Sequence, residues 1–86
     1  MTSYEIVFTD TALKQMKKLD MRVQERVISV LERIRVHPER YVRRLVDEPY
    51  YRLRVGDYRV ILDIVHGKMI VMVLYVSHRR NVYGGK

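Results

Sequence analysis

The sequence has no cysteine, which removes disulfides and thiolate metal sites as sources of stability or chemistry. It has no tryptophan and one phenylalanine against seven tyrosines, an unusual aromatic balance. No run approaches the ~18 apolar residues of a membrane span, and the opening Met-Thr-Ser-Tyr-Glu lacks the basic stretch and apolar core of a secretion signal. Cytoplasm is the expected location, with no membrane partner. Proline occurs twice and glycine four times, which leaves long uninterrupted stretches for helix and strand. Acidic residues are scarce at one end: after Asp63 there is none, while Lys68, Arg79, Arg80 and Lys86 follow.

Positive charge is abundant. The net charge is +7 over 86 residues, and a field of that sign attracts polyanions and speeds their association. Arginine outnumbers lysine 12 to 5. A planar guanidinium grips phosphate with two parallel hydrogen bonds and stacks on bases, so this bias favours nucleic acid over a generic anionic surface. The length suits a single domain, residues 1–86, burying only about 60% of its unfolded surface and therefore modestly stable alone.

Hydrophobic periodicity supplies the elements. Tyr4, Ile6 and Phe8 alternate with Glu5 and Val7, which predicts a strand. Thr9 or Asp10 caps a first helix with Leu13 and Met16 on its apolar stripe, ending near Leu19 and Asp20. Asp20 caps a second, in which Val23, Val27, Val30, Leu31 and Ile34 recur at helical spacing until Pro38 forbids continuation. With almost no linker, the two form an antiparallel helical hairpin. Residues 38–49 read as a connection with one helical turn. Strands then follow at 51–55, 58–64 and 69–76, separated by Gly56-Asp57 and His66-Gly67. The expected fold is α+β, in the order β-α-α-β-β-β, with the helical hairpin on one face of a mainly antiparallel four-stranded sheet.

A two-residue turn at Gly56-Asp57 fixes register: Val55 faces Tyr58 and Arg54 faces Arg59. Arg52 shares their face, and Leu53, Val55, Tyr58, Val60 and Leu62 take the other. Like charges directly opposed across strands are destabilising, so three converging guanidinium groups point to a bound anion. A second two-residue turn at His66-Gly67 pairs Arg59 with Leu74, placing Ile70, Met72, Leu74, Val76 and His78 on the arginine face. His78 there is a candidate for proton transfer, with Arg79 and Arg80 behind it. His37 and His66 read as local-structure residues. Of the seven tyrosines, Tyr4, Tyr51 and Tyr58 have core parity, whereas Tyr83 lies in a basic tail with Asn81, Val82, Gly84 and Gly85. The acids are scattered and no His/Asp group has ligand spacing, so neither a metal nor another cofactor is expected.

The run Tyr-Arg-Leu-Arg-Val-Gly-Asp-Tyr-Arg-Val-Ile at 51–61, followed by an apolar strand and His-Arg-Arg-Asn-Val-Tyr at 78–83, resembles the RelE branch of the RelE/ParE toxin superfamily. The preceding β-α-α pattern fits as well, so the resemblance spans essentially the whole chain. It implies a toxin of a type II toxin-antitoxin system: a ribosome-dependent, metal-independent endoribonuclease that cuts mRNA and is held inactive by an acidic, RelB-like antitoxin in a hetero-oligomer. The implied reaction is attack of a ribose 2′-hydroxyl on the adjacent phosphate. By position, Arg52 and Arg54 match the family's basic residues before the hairpin turn, and Arg59 its arginine after it. Arg79 matches its basic residue after the last strand, and Tyr83 its carboxy-terminal tyrosine. Some relatives have lysine where this chain has Arg52 and Arg54; arginine does not give up a proton, so the general base falls to His78 first and Glu48 second. Two other functions fit the same chain: a ParE-like toxin directed at gyrase, and a non-enzymatic basic module binding RNA or protein.

Overall fold

The computed structural model describes residues 3–78, within which seven regular elements form. They are β1 (Glu5–Phe8), α1 (Asp10–Lys17), α2 (Met21–Arg33), β2 (Arg43–Arg44), β3 (Tyr51–Val55), β4 (Tyr58–Val65) and β5 (Ile70–His78). Short 3₁₀ turns at Pro38–Arg40 and His66–Lys68 link them. The strands make one sheet in the order β1-β5-β4-β3-β2, antiparallel except for the parallel β1–β5 pair. The α+β class with two helices on one sheet face is as expected, but the sheet has five strands, not four. The extra strand is Arg43–Arg44, inside the stretch read as a connection. Two exposed arginines carry no alternating apolar signal, and the pairing comes from the free edge of β3.

The helices cover one face. Val27, Leu31 and Ile34 of α2 and its C-terminal cap, with Ala12 and Met16 of α1, close on Leu53, Val55, Val60, Leu62, Ile64, Val71, Val73 and Val76. Each of the valine, leucine, isoleucine and methionine side chains contributes roughly 1.5–3 kcal/mol when fully buried. The stripe of α2 is the one read from the sequence. That of α1 is rotated: Ala12 is fully buried, whereas Leu13 is 44% exposed. Ala12 fits because it lets the helix lie close to β5, where a leucine would hold it away.

Side chains of α1 extend the sheet where β1 stops. The parallel pairing ends at Phe8 opposite Val73. Beyond it the Thr9 hydroxyl donates to the Leu74 carbonyl (3.0 Å) while accepting from the Ala12 amide (3.1 Å), so one oxygen caps the helix and ties it to β5. Two residues further along, the Val76 amide donates to Gln15 Oε1 at 2.6 Å. At the other end of β1, Arg35 closes the chain entry: its Nε donates to the Tyr4 carbonyl (2.8 Å) and its Nη1 pairs with Glu32 (2.9 Å). Tyr4 is buried, and its hydroxyl meets Nδ1 of His66 at 2.9 Å, which confirms both as structural residues.

Two irregularities set the register of β5. The connection from β4 is two residues longer than a tight turn, with Met69 left-handed (φ 56°), so Val65 pairs with Ile70 and not with Lys68. A shift of two preserves faces. A bulge then follows: Ile61 pairs with Tyr75 but Leu62 with Val73, leaving Leu74 unmatched. A shift of one exchanges faces for everything after it.

Replacing Thr9 with alanine removes both the cap and the tie to Leu74, and should lower stability by about 1–2 kcal/mol in urea unfolding, with Thr9→Ser retaining most of it.

Candidate functional site

The hairpin between β3 and β4 turns at Gly56-Asp57 with a positive φ (59°) at the first central residue only, the pattern of a type II′ turn. The Arg26 guanidinium of α2 packs over it, and a Cβ at position 56 would lie 3.2 Å from its Nη1. The register is the one deduced from the sequence: Val55 faces Tyr58, Arg54 faces Arg59, Leu53 faces Val60. Because Leu53, Val55 and Val60 are buried under the helices, Arg52, Arg54 and Arg59 must point to the opposite, helix-free face.

A fourth arginine joins them. β2 places Arg43 directly opposite Arg52, and the two, with Arg54 and Tyr41, line a cleft of about 370 Å³. Arg43 was legible only as part of a charged connection; no periodicity marks a two-residue strand. Its neighbour Arg44 goes to the other face, where its guanidinium lies 6.0 Å from the centre of the Tyr51 ring. Two like-charged cross-strand pairs, Arg43/Arg52 and Arg54/Arg59, therefore stand side by side.

His78 is elsewhere. The bulge pairs Arg59 with Ser77, not Leu74, and turns His78 to the helix side, opposite Tyr58. The two rings meet edge to face with centroids 5.0 Å apart. His78 lines a shallow groove with Gln15, Lys18 and Leu19, a sheet thickness away from the arginines. The expectation that it shares their face is corrected, as is that for Val76, which is buried in the core. Ile70 and Met72 lie before the bulge and keep the outward parity; Leu74 is the bulged residue itself. Glu48, the second candidate for the proton, is exposed in the loop between β2 and β3. Arg79 and Tyr83 lie outside the described residues.

Next to the arginines, the outer face mixes apolar side chains with the acids Asp63, opposite Met72, and Glu5, opposite Ile70. Ile61 opposes Tyr75, and Val7 opposes Met72, with Ile70 beside it. Tyr75 is half exposed. Among the described residues no three His, Cys, Asp or Glu side chains gather to hold a metal ion, and no helix is long and apolar enough to cross a membrane. An open basic patch beside an apolar strip is an interaction surface that the chain's own helices leave uncovered.

This fold and patch define a small basic toxin domain of the kind anticipated from the sequence. Residues 6–83 match the family model for the ParE toxin of type II toxin-antitoxin systems, and the chain belongs to that family, within the RelE/ParE superfamily. Solved structures agree. The chain is similar to the toxin-antitoxin complex RelBE2 of Mycobacterium tuberculosis, at 28% identity and a TM-score of 0.84 over 91% of this chain and 100% of that one. It is also similar to a variant of the E. coli toxin RelE in the free state (28%, TM-score 0.77, 96% and 93%). The intact E. coli RelBE complex matches at 29% and a TM-score of 0.74, over 87% and 95%. No curated protein sequence matches the chain.

Arg54→Glu places an acid opposite Arg59 and should raise stability by several tenths of a kcal/mol, measurable as a higher melting temperature, while removing affinity for polyanions.

Proposed function

We propose that this toxin is a ribosome-dependent endoribonuclease that halts translation by cutting mRNA. The observation that carries the reading is the pairing of Arg54 with Arg59 on the helix-free face, flanked by Arg52. Repulsion there costs tenths of a kcal/mol, and a phosphate between the guanidinium groups turns that cost into binding. In-line attack of a 2′-hydroxyl on the neighbouring phosphate develops charge on the phosphoryl oxygens, which Arg59 and Arg54 are placed to stabilise. Arg52 holds the chain of phosphates in register with them, and bending of the message brings nucleophile and phosphorus into line. Arg79 and Tyr83 take their roles, a further phosphate contact and a base-stacking ring, from the family resemblance. His78 stands edge to face with Tyr58 on the helix side of the sheet, and in this reading the proton transfers fall to groups of the message and the ribosome.

The same face suits an antitoxin. Val7, Ile61, Ile70, Met72 and Tyr75 lie beside the arginines, with Asp63 and Glu5 among them, so a segment whose acids meet the arginines and whose apolar residues meet this strip covers both at once. Relatives solved as RelB–RelE complexes support such a partner.

The test is to add the purified chain to translating ribosomes and map message ends. Cleavage leaving cyclic phosphates and free 5′-hydroxyls is expected, and Arg59→Ala should reduce it by about 10²-fold or more at unchanged melting temperature. Intact message together with DNA damage dependent on gyrase would instead identify a gyrase-directed toxin. Coexpression with its genomic neighbour should yield a stable complex that elutes as a hetero-oligomer; a toxin recovered alone as a monomer would contradict the antitoxin assignment.

A further inference from the structure

The Arg54/Arg59 pair is an unavoidable product of the hairpin register, but the Arg43/Arg52 pair is not. β2 is two residues long and lies at the sheet edge. It is held by the Arg44 contact with Tyr51 and by the Leu45 amide donating to the Tyr50 carbonyl at 3.0 Å. Those contacts fix its register, and the register sets one more arginine against an existing one. Just before it, the turn at Pro38–Arg40 ends with the Tyr41 amide donating to the Pro38 carbonyl (3.1 Å). Tyr41 is thereby brought to the rim of the same cleft, 48% exposed. Among the described residues, the side chains of Tyr41, Arg43, Arg52 and Arg54 make no hydrogen bond, ion pair or ring contact. A ring without a partner beside three guanidinium groups without partners offers a stacking platform next to phosphate clamps. That combination is what single-stranded nucleic acid requires.

We infer that Tyr41 and Arg43 form a nucleotide-docking subsite next to the Arg54/Arg59 pair, in which Tyr41 stacks on one base and Arg43, with Arg52, holds the adjoining phosphate of single-stranded RNA. The cleft falls within the range of volumes that ordinary ligand sites enclose. Tyr41 and Arg43 are positioning residues: they touch the strand away from the reacting bond and fix which phosphate reaches Arg54 and Arg59. The inference deepens the ribonuclease reading and rests on it for the identity of the strand.

Binding is measured by fluorescence anisotropy with a 2′-O-methylated RNA of mixed sequence, which lacks the attacking hydroxyl and stays intact. Tyr41→Ala should weaken binding roughly fivefold to a hundredfold, and Tyr41→Phe should restore it, since the ring and not the hydroxyl stacks. Arg43→Ala should reduce the slope of log affinity against log salt by about 0.7, the loss of one phosphate contact on a single strand. In cleavage on ribosomes, both alanine variants should raise KM more than they lower kcat. The proposal is overturned if Tyr41→Ala and Arg43→Ala bind the RNA like wild type while Arg54→Ala loses affinity. It is also overturned if the RNA is not bound and an acidic peptide shows the Tyr41 and Arg43 dependence instead. Wild-type protein that binds in the Tyr41-dependent way yet leaves message intact on ribosomes would reject the nuclease reading and keep the subsite.

Discussion

The register of the β3–β4 hairpin is the constraint from which the outer face follows. Leu53 against Val60 and Val55 against Tyr58 put three of those four side chains fully into the core, each contributing on the order of a few kcal/mol. A slip of one residue would expose them all. Against that, the mutual repulsion of Arg54 and Arg59 is worth only tenths of a kcal/mol. The core therefore dictates the pairing, and the arginines have no alternative arrangement open to them. Function is obtained here by exploiting the difference in size between two energies: a strong apolar lock on one side of the sheet holds a weakly unfavourable charge pattern on the other.

That part of the molecule was readable from sequence because every step is local. Gly56-Asp57 fixes the turn, the turn fixes the partner, and alternation fixes the face. The helix starts at Thr9 and Asp20, the stop before Pro38 and the core stripe of α2 are local in the same sense. What escaped is what depends on distant partners. Arg43–Arg44 becomes a strand only because β3 has an unpaired edge. Ala12 outranks Leu13 in the core because of how closely α1 lies on β5. The bulge at Leu74 is tied to Thr9, 65 positions earlier, through the hydroxyl that bonds its carbonyl. One unmatched residue there moved His78 and Val76 across the sheet. Positions before it, Ile70 and Met72, kept their predicted face even though the preceding turn was longer than expected, because that error was even.

The two faces divide the work of the domain. The helix side carries nearly all of the buried apolar surface, together with the Tyr58–His78 contact and the Arg35 clasp on the chain entry. The open side carries four arginines and the apolar strip from Val7 to Tyr75, and is free of the demands of packing. Such a separation lets one scaffold serve toxins with different targets, and explains why membership of the RelE/ParE superfamily alone does not specify the target.

The parallel pairing of β1 with β5 has a consequence for synthesis. Glu5–Phe8 precedes the rest of the sheet in the chain, but its sheet neighbour among the described residues begins at Ile70. A nascent chain emerging amino end first holds Glu5–Phe8 without a strand to join until most of the domain has left the tunnel, and the long loop that this pairing closes slows its formation. The helices can form early, since their contacts along the chain are local. The β2-β3-β4 part of the sheet, with its arginine face, can pair as it emerges, and β1 joins only once β5 is present.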